Sequence, residues 1–163
     1  MTVSLTIRRA QAADIPALLE LLRQVNSVHA DGRPDLFNRV TKYSERELRE
    51  RLTASDDDPV FVAVRADDPS VVYGHCFCIT QDRTGDALFR DIRTLYVDDV
   101  CVDSAARGMG VGRVLLEYVQ SWARERGYYN LTLGVWECNP GARAFYEKLG
   151  MKPQETVMET ILQ

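Results

Sequence analysis

Hydrophobic residues recur along the chain with two periods, and the switches between them lay out the elements. Near the start Val3, Leu5 and Ile7 alternate with polar residues, as in a half-buried strand. Ile15, Leu18, Leu19, Leu22 and Val25 then return at helical spacing, with Asp14 placed to cap that helix and Pro16 in its first turn. Ser44-Glu45-Arg46-Glu47 has the spacing of a capping box, and Leu48 and Leu52 give a short second helix its apolar stripe. The spacing predicts a long loop between the two helices, from His29 to Lys42.

The period then falls back to that of strands. Val60 to Arg65 is β-branched and apolar, Asp67-Asp68-Pro69-Ser70 reads as a turn, and Val71 to Thr80 reads as the returning strand. A polar loop through Asp82 and Gly85 leads to a long run from Ile92 to Val102. Val111, Val114, Leu115, Tyr118, Val119 and Trp122 mark an amphipathic helix that starts near Gly110 and stops at Gly127. Leu131, Leu133 and Val135 predict a strand, Pro140 to Leu149 a helix closed by Gly150, and Val157 and Ile161 a last strand. The order β-α-α-β-β-β-α-β-α-β, in 163 residues, predicts one α/β domain spanning 1–163 with a mixed sheet.

Composition narrows what such a domain does. Apolar residues make up 45% and charged residues 27%, the balance of a folded globular chain. Acidic residues exceed basic ones, 24 to 20, so a general nucleic-acid binder is disfavoured and a cationic or neutral small partner suits better. No apolar run approaches the ~18 residues of a membrane span, and Met1 to Arg9 lacks the pattern of a secretory signal, so the expected compartment is the cytoplasm. Cys76, Cys78, Cys101 and Cys138 include no C-x-x-C, and neither His29 nor His75 sits at zinc-ligand spacing; the cysteines read as reduced packing residues and no metal is expected.

The chemistry concentrates in Val100 to Arg113, where a strand ends, a short turn follows and Gly108, Gly110 and Gly112 lead into a helix. Glycines let a backbone approach a ligand closely, and the first amides of a helix lack intrahelical acceptors and carry the positive end of its dipole. Together they suit a pyrophosphate, with Arg107 and Arg113 adding charge. The bland alternative is that the glycines merely permit tight packing of strand on helix. The spacing is not G-x-G-x-x-G and no G-K-[ST] is present, which disfavours a dinucleotide fold and excludes a P-loop.

Arg107-Gly108-Met109-Gly110-Val111-Gly112 resembles the R/Q-x-x-G-x-G/A signature of the GCN5-related N-acetyltransferases. Asn139-Pro140-Gly141-Ala142-Arg143-Ala144-Phe145-Tyr146-Glu147-Lys148-Leu149-Gly150 resembles that family's second signature, N-x-x-A-x-x-x-Y-x-x-x-G, at the family's separation from the first. The resemblance implies the acyl-CoA N-acyltransferase fold: a mainly antiparallel mixed sheet whose central strands splay into a V, with flanking helices. It implies acetyl-CoA as cosubstrate, its pyrophosphate on the amides around Gly108, Met109, Gly110, Val111, Gly112 and Arg113, with Arg107 beside them. The pantetheine arm would run along Val100 and Val102, and Asn139, Ala142 and Tyr146 would also contact the cofactor.

The same resemblance makes Tyr146 the general acid that returns a proton to the leaving thiolate; otherwise it is only an aromatic on a helix face. The base is open among Asp98, Asp99 and Glu137, each of which also reads as a solvated strand-end charge. Asp98 is slightly favoured, because it shares parity with Val100 and Val102 and the family often bulges this strand. Asp98, Glu137, His29 and Phe37 are candidate acceptor contacts, and Trp136 is placed at the cleft or in the core. Cys101 has no neighbouring histidine in sequence and reads as packing. The reading is therefore an N-acetyltransferase acting on a primary amine of a small molecule or peptide; the resemblance leaves a homodimer through the Val157 to Ile161 strand open, and the sequence does not fix the oligomeric state. Its alternatives are a non-catalytic CoA-binding module and, more remotely, an ATP or NAD domain.

Overall fold

A five-stranded sheet in the order β1-β2-β3-β4-β5 divides two helical layers in the computed structural model, which describes residues 3–163. β1 (Leu5–Arg9), β2 (Val60–Arg65), β3 (Asp68–Asp82) and β4 (Arg93–Val102) run antiparallel in succession, and β5 (Asn130–Leu133) joins β4 in parallel. α1 (Ile15–Gly32) and α2 (Glu45–Ala54) cover one face; α3 (Val111–Glu125) covers the other, with α4 (Pro140–Lys148) at its margin.

The side chains follow the period of the strands. Cys76 and Cys78 of β3 join Leu115, Leu116 and Val119 of α3, while Phe77 between them joins Leu18, Leu22 and Leu48 beneath α1 and α2. α2 starts as its sequence predicts: the Ser44 hydroxyl accepts from the Glu47 amide and the Glu47 carboxylate accepts from the Ser44 amide.

β4 breaks the alternation. Val97 packs under α3, yet Cys101, four residues on, packs under α1, although an even step along a regular strand keeps a side chain on one face. The register supplies the cause: Cys78 lies opposite Val97 and Phe77 opposite Asp99, so Asp98 is an inserted residue of a β-bulge. β5 follows β4 only from Thr94 to Val97. From Asp98 to Val102 the β4 backbone faces no described strand on that side, which is the predicted V-shaped opening.

Four sequence expectations change. His29 is not in a loop: α1 continues to Gly32, because Ala30 is buried in the layer and the helix stops only before Pro34. The β2–β3 turn is at Ala66 and Asp67, and Pro69 falls within β3. β5 ends at Leu133, so Val135 lies beyond it. The last strand is absent: residues 151–163 form no regular element and join no strand of the sheet, and Val157 and Ile161 are exposed.

Candidate active site

At the end of β4 the Asp103 carboxylate accepts from the Ala105 amide and caps a single 3-10 turn, Ser104–Ala106. The chain then climbs to α3 through Gly108 and Gly110, at φ 79° and 80°, left-handed conformations that favour glycine. A Cβ at either position would meet nothing within 4 Å, so the surface above them is open. Below, Gly112 permits a close approach: a Cβ there would lie 3.1 Å from Phe145 of α4 and 3.4 Å from Val102.

The first backbone bond of α3 is from the Val114 amide to the Gly110 carbonyl, leaving the amides of Val111, Gly112 and Arg113 without helical acceptors. Arg107 is exposed and lines a shallow depression of about 340 Å³ with Arg23, Gln24, Ser27 and Ser104. Arg113 is engaged by Glu117 at 2.7 Å, and Met109 packs against the α3 core. An open glycine turn, three free amides and a nearby guanidinium fit a phosphate-bearing ligand.

α4 closes the other wall. The Asn139 carbonyl oxygen accepts from the Ala142 amide at 3.2 Å, so this side chain caps the helix. Tyr146 packs against the sheet core with Phe145 and Leu149. Burial, reinforced by Cys76, Asp99 and Cys101, pushes its phenol up to about 12. Cys101 is likewise pushed up to about 12, chiefly by burial, which keeps it a thiol and agrees with a packing role.

The bulge gives the two aspartates different partners. Asp98 accepts from the Tyr43 hydroxyl at 2.7 Å and pairs with Lys42 at 2.8 Å. Asp99 lies 2.6 Å from His75 Nε2, on a ring with no exposed surface. With the Asp99 carboxylate accepting, Nε2 carries the donated proton, and among the described residues Nδ1 is left as a buried atom without a partner.

His29 stands in the last turn of α1, its ring 5.2 Å from Phe37, whose ring meets Trp136 edge-on at 5.1 Å. Burial holds the His29 imidazole below its usual range; Asp99 opposes that shift and Lys42 adds to it. The site therefore gathers Asp98, Asp99, Tyr146, His29 and Phe37. Glu137 is not among them: it pairs with Arg143 on α4 at 2.8 Å and stays largely exposed. Sequence reasoning missed Lys42, Tyr43 and His75. The signal available for His75 was an imidazole inside an otherwise apolar strand, since a buried polar ring needs a partner.

Among the described residues no helix is long and apolar enough to cross a membrane, and no three His, Cys, Asp or Glu converge as metal ligands. Residues 22–151 match the family described as the acetyltransferase (GNAT) family. The chain is 42% identical over 55 residues to a probable glucosamine 6-phosphate N-acetyltransferase 2 from Oryza sativa subsp. japonica, covering 34% of this chain and 31% of that protein. It is 44% identical over 57 residues to the peptidyl-lysine N-acetyltransferase YjaB of Escherichia coli (strain K12), covering 35% of each. The matched stretch thus spans about a third of these curated relatives. The crystal structure of a mutant of the BH1408 protein from Bacillus halodurans superimposes with a TM-score of 0.89 at 26% identity, covering 97% of this chain and 99% of that one.

Proposed function

This chain belongs to the acetyltransferase (GNAT) family, and on that premise we propose that it transfers the acetyl group of acetyl-CoA directly to a primary amine of a small molecule or peptide. The observation that carries the reading is the β5-facing edge of β4 from Asp98 to Val102, which no described strand pairs, with Gly112 of the α3 turn close to Val102 and the Tyr146 phenol in electrostatic reach of Asp99 and Cys101. Val100 and Val102 offer backbone groups to an amide-bearing arm, as an edge strand does. The amides of Val111, Gly112 and Arg113, with Arg107, take the phosphates. The bound thioester supplies an acyl carbon open to a nucleophile and a thiolate leaving group.

Asp99 is the preferred base. Lys42 and Tyr43 already engage Asp98, whereas among the described residues the only side-chain hydrogen bond to Asp99 comes from His75. An acceptor amine arrives as an ammonium, whose charge Asp99 attracts and whose proton it takes, exposing the nitrogen lone pair. A second nitrogen proton leaves as the amide forms and ends on sulfur, with Tyr146 holding a hydrogen bond to that sulfur as its C–S bond breaks. The raised phenol stays protonated throughout the neutral range, which suits a donor. His29, Phe37 and Trp136 form an aromatic wall for the carbon skeleton of the acceptor. The relatives are named for a sugar-phosphate amine and a peptidyl lysine, and both classes belong in the first panel of acceptors.

The test is acetyl-CoA-dependent thiol release over that panel, with a blank lacking acceptor because the chain has an exposed thiol at Cys138. Acceptor-dependent release is expected. Stabilisation of the fold by acetyl-CoA with no release from sugar amines, aminoglycosides, polyamines, peptides or protein lysines would overturn the catalytic reading in favour of a CoA-binding module.

A further inference from the structure

At the acceptor end of the site one charge is left over. Among the described residues every lysine and arginine on the segment between α1 and α2 is paired: Arg33 with Asp35 and Glu159, Arg39 with Asp31, and Lys42 with Asp98. In the loop after β5, Glu137 pairs with Arg143. No lysine or arginine among the described residues pairs with Asp99. Its partner is the His75 imidazole, and a second proton on that ring would find no acceptor, because Nδ1 is buried without a partner among the described residues. The Asp99 side chain is 8% exposed, a narrow target that suits a primary ammonium on an unbranched arm. A second cation on the acceptor, or an anion, would be desolvated here without a counter-charge.

The surface beside that carboxylate is aromatic. His29, within electrostatic reach of Asp99, lies 5.2 Å ring to ring from Phe37, and Phe37 meets Trp136 edge-on at 5.1 Å. The three rings come from α1, the segment before α2 and the loop after β5, so the row joins the helical layer to the end of β5. Gly32 seats those parts together: a Cβ there would fall 2.6 Å from the Cys138 sulfur. The row is not spent on packing. Trp136 keeps 42% of its surface exposed, and Leu36 and Val40, on either side of Phe37, keep 50% and 63%. Exposed apolar surface gathered beside a site marks a place where a ligand sits. The Asn26 carbonyl oxygen already accepts from the Val40 amide and the Tyr43 hydroxyl already donates to Asp98, so a hydroxylated ring would compete for engaged groups, whereas a carbon ring needs none.

We propose that the acceptor is an arylalkylamine: one primary ammonium on a flexible unbranched arm, seated on Asp99, with an uncharged aromatic ring packed against Phe37 and Trp136. The proposal rests on the transferase reading above and narrows its acceptor to a monocation with an apolar ring. Sugar phosphates, polyamines and lysyl peptides fall outside that class.

The test is calorimetric titration of the full chain, saturated with CoA, with phenethylamine as the probe. Propylamine removes the ring, phenylalaninamide adds a branch, phenylalanine adds a carboxylate, spermidine adds cations, and glucosamine 6-phosphate replaces the carbon ring with a hydroxylated, phosphorylated one. Phenethylamine should bind at least about tenfold more tightly than each of them. Trp136→Ala and Phe37→Ala should each weaken phenethylamine by about tenfold while leaving propylamine and CoA unchanged, and Trp136→Phe should restore most of the loss. Equal or tighter binding of any comparison amine, or unchanged phenethylamine affinity in both alanine variants with native circular dichroism, would overturn the proposal. Thiol release from acetyl-CoA separates this from the reading beneath it. The predicted binding order with no release from any amine would remove the transfer and leave the ligand class standing, while release with sugar or polyamine acceptors alone would do the reverse.

Discussion

His75 donates its Nε2 proton to Asp99 across 2.6 Å from a position with no exposed surface, and among the described residues its Nδ1 has no partner. Evolution of a core for stability alone favours an apolar residue there, because an unpaired buried polar atom is costly. The arrangement instead fixes a carboxylate at the opening between β4 and β5. Replacing His75 with Leu removes the side-chain donor to Asp99, and kcat should fall at least about tenfold with KM for acetyl-CoA little changed. His75→Gln, which keeps an N–H donor, should recover most of kcat. Equal losses in both variants, tracking a fall in Tm, would reduce His75 to a packing residue.

The two aspartates separate by kinetics. Asp99→Asn removes the proposed base and should lower kcat by roughly 10²-fold, within the usual range for general base catalysis. Asp98→Asn keeps an acceptor for Tyr43 but loses the charge that pairs with Lys42. Its expected effect is a severalfold rise in KM for the acceptor, because that pair ties the loop before α2 to the site, with kcat within about threefold of wild type. The reverse ranking of kcat would assign the base to Asp98.

How far this site was legible in the sequence follows from the length scale of each determinant. The glycine turn, the α4 motif and the capping box at Ser44 are local patterns, and the structure has each element where its pattern lies. The choice between Asp98 and Asp99 is not local. Parity from Val100 and Val102 favoured Asp98, but parity fails across a bulge, and the bulge is defined only by the pairing of Phe77 with Asp99 across β3. The contact of His75 with Asp99 depends on that same register. The tail was misread for a different reason: its apolar residues alternate as those of a strand do, but the pattern does not show whether a neighbouring strand stands ready to pair with it, and no strand of the sheet pairs with it.

The glycine turn makes a prediction about backbone conformation. Gly110 has φ 80° and open space at its Cβ position, so Gly110→Ala is strained without being crowded. The left-handed conformation costs an L-residue about 1–2 kcal/mol, which for a chain of this size lowers Tm by roughly 2–8 °C. Asn tolerates that region better, so Gly110→Asn should lose less stability. Both add atoms where phosphate is proposed to rest, and both should raise KM for acetyl-CoA. Unchanged KM in both would move the phosphates away from this turn.

Tyr146 ties the reaction to alkaline stability. Its phenol is pushed up to about 12 in the folded chain, from 10 for an unperturbed tyrosine. Between those values the unfolded chain releases a proton that the folded chain keeps. The contribution is therefore fully present below pH 10 and is lost as pH rises toward 12. Its upper bound is roughly 2–3 kcal/mol. Tyr146→Phe has no proton to lose, so the difference in unfolding free energy between variant and wild type should move in the variant's favour from pH 10 to 12. Cys101 titrates in both proteins and cancels in that difference. At pH 7 to 8 the same variant should bind acetyl-CoA normally and lose roughly 10²-fold in kcat. Full activity in Tyr146→Phe would remove the phenol from the reaction, while a flat difference across the alkaline window would place its ring in a wetter setting than the packing against the sheet implies.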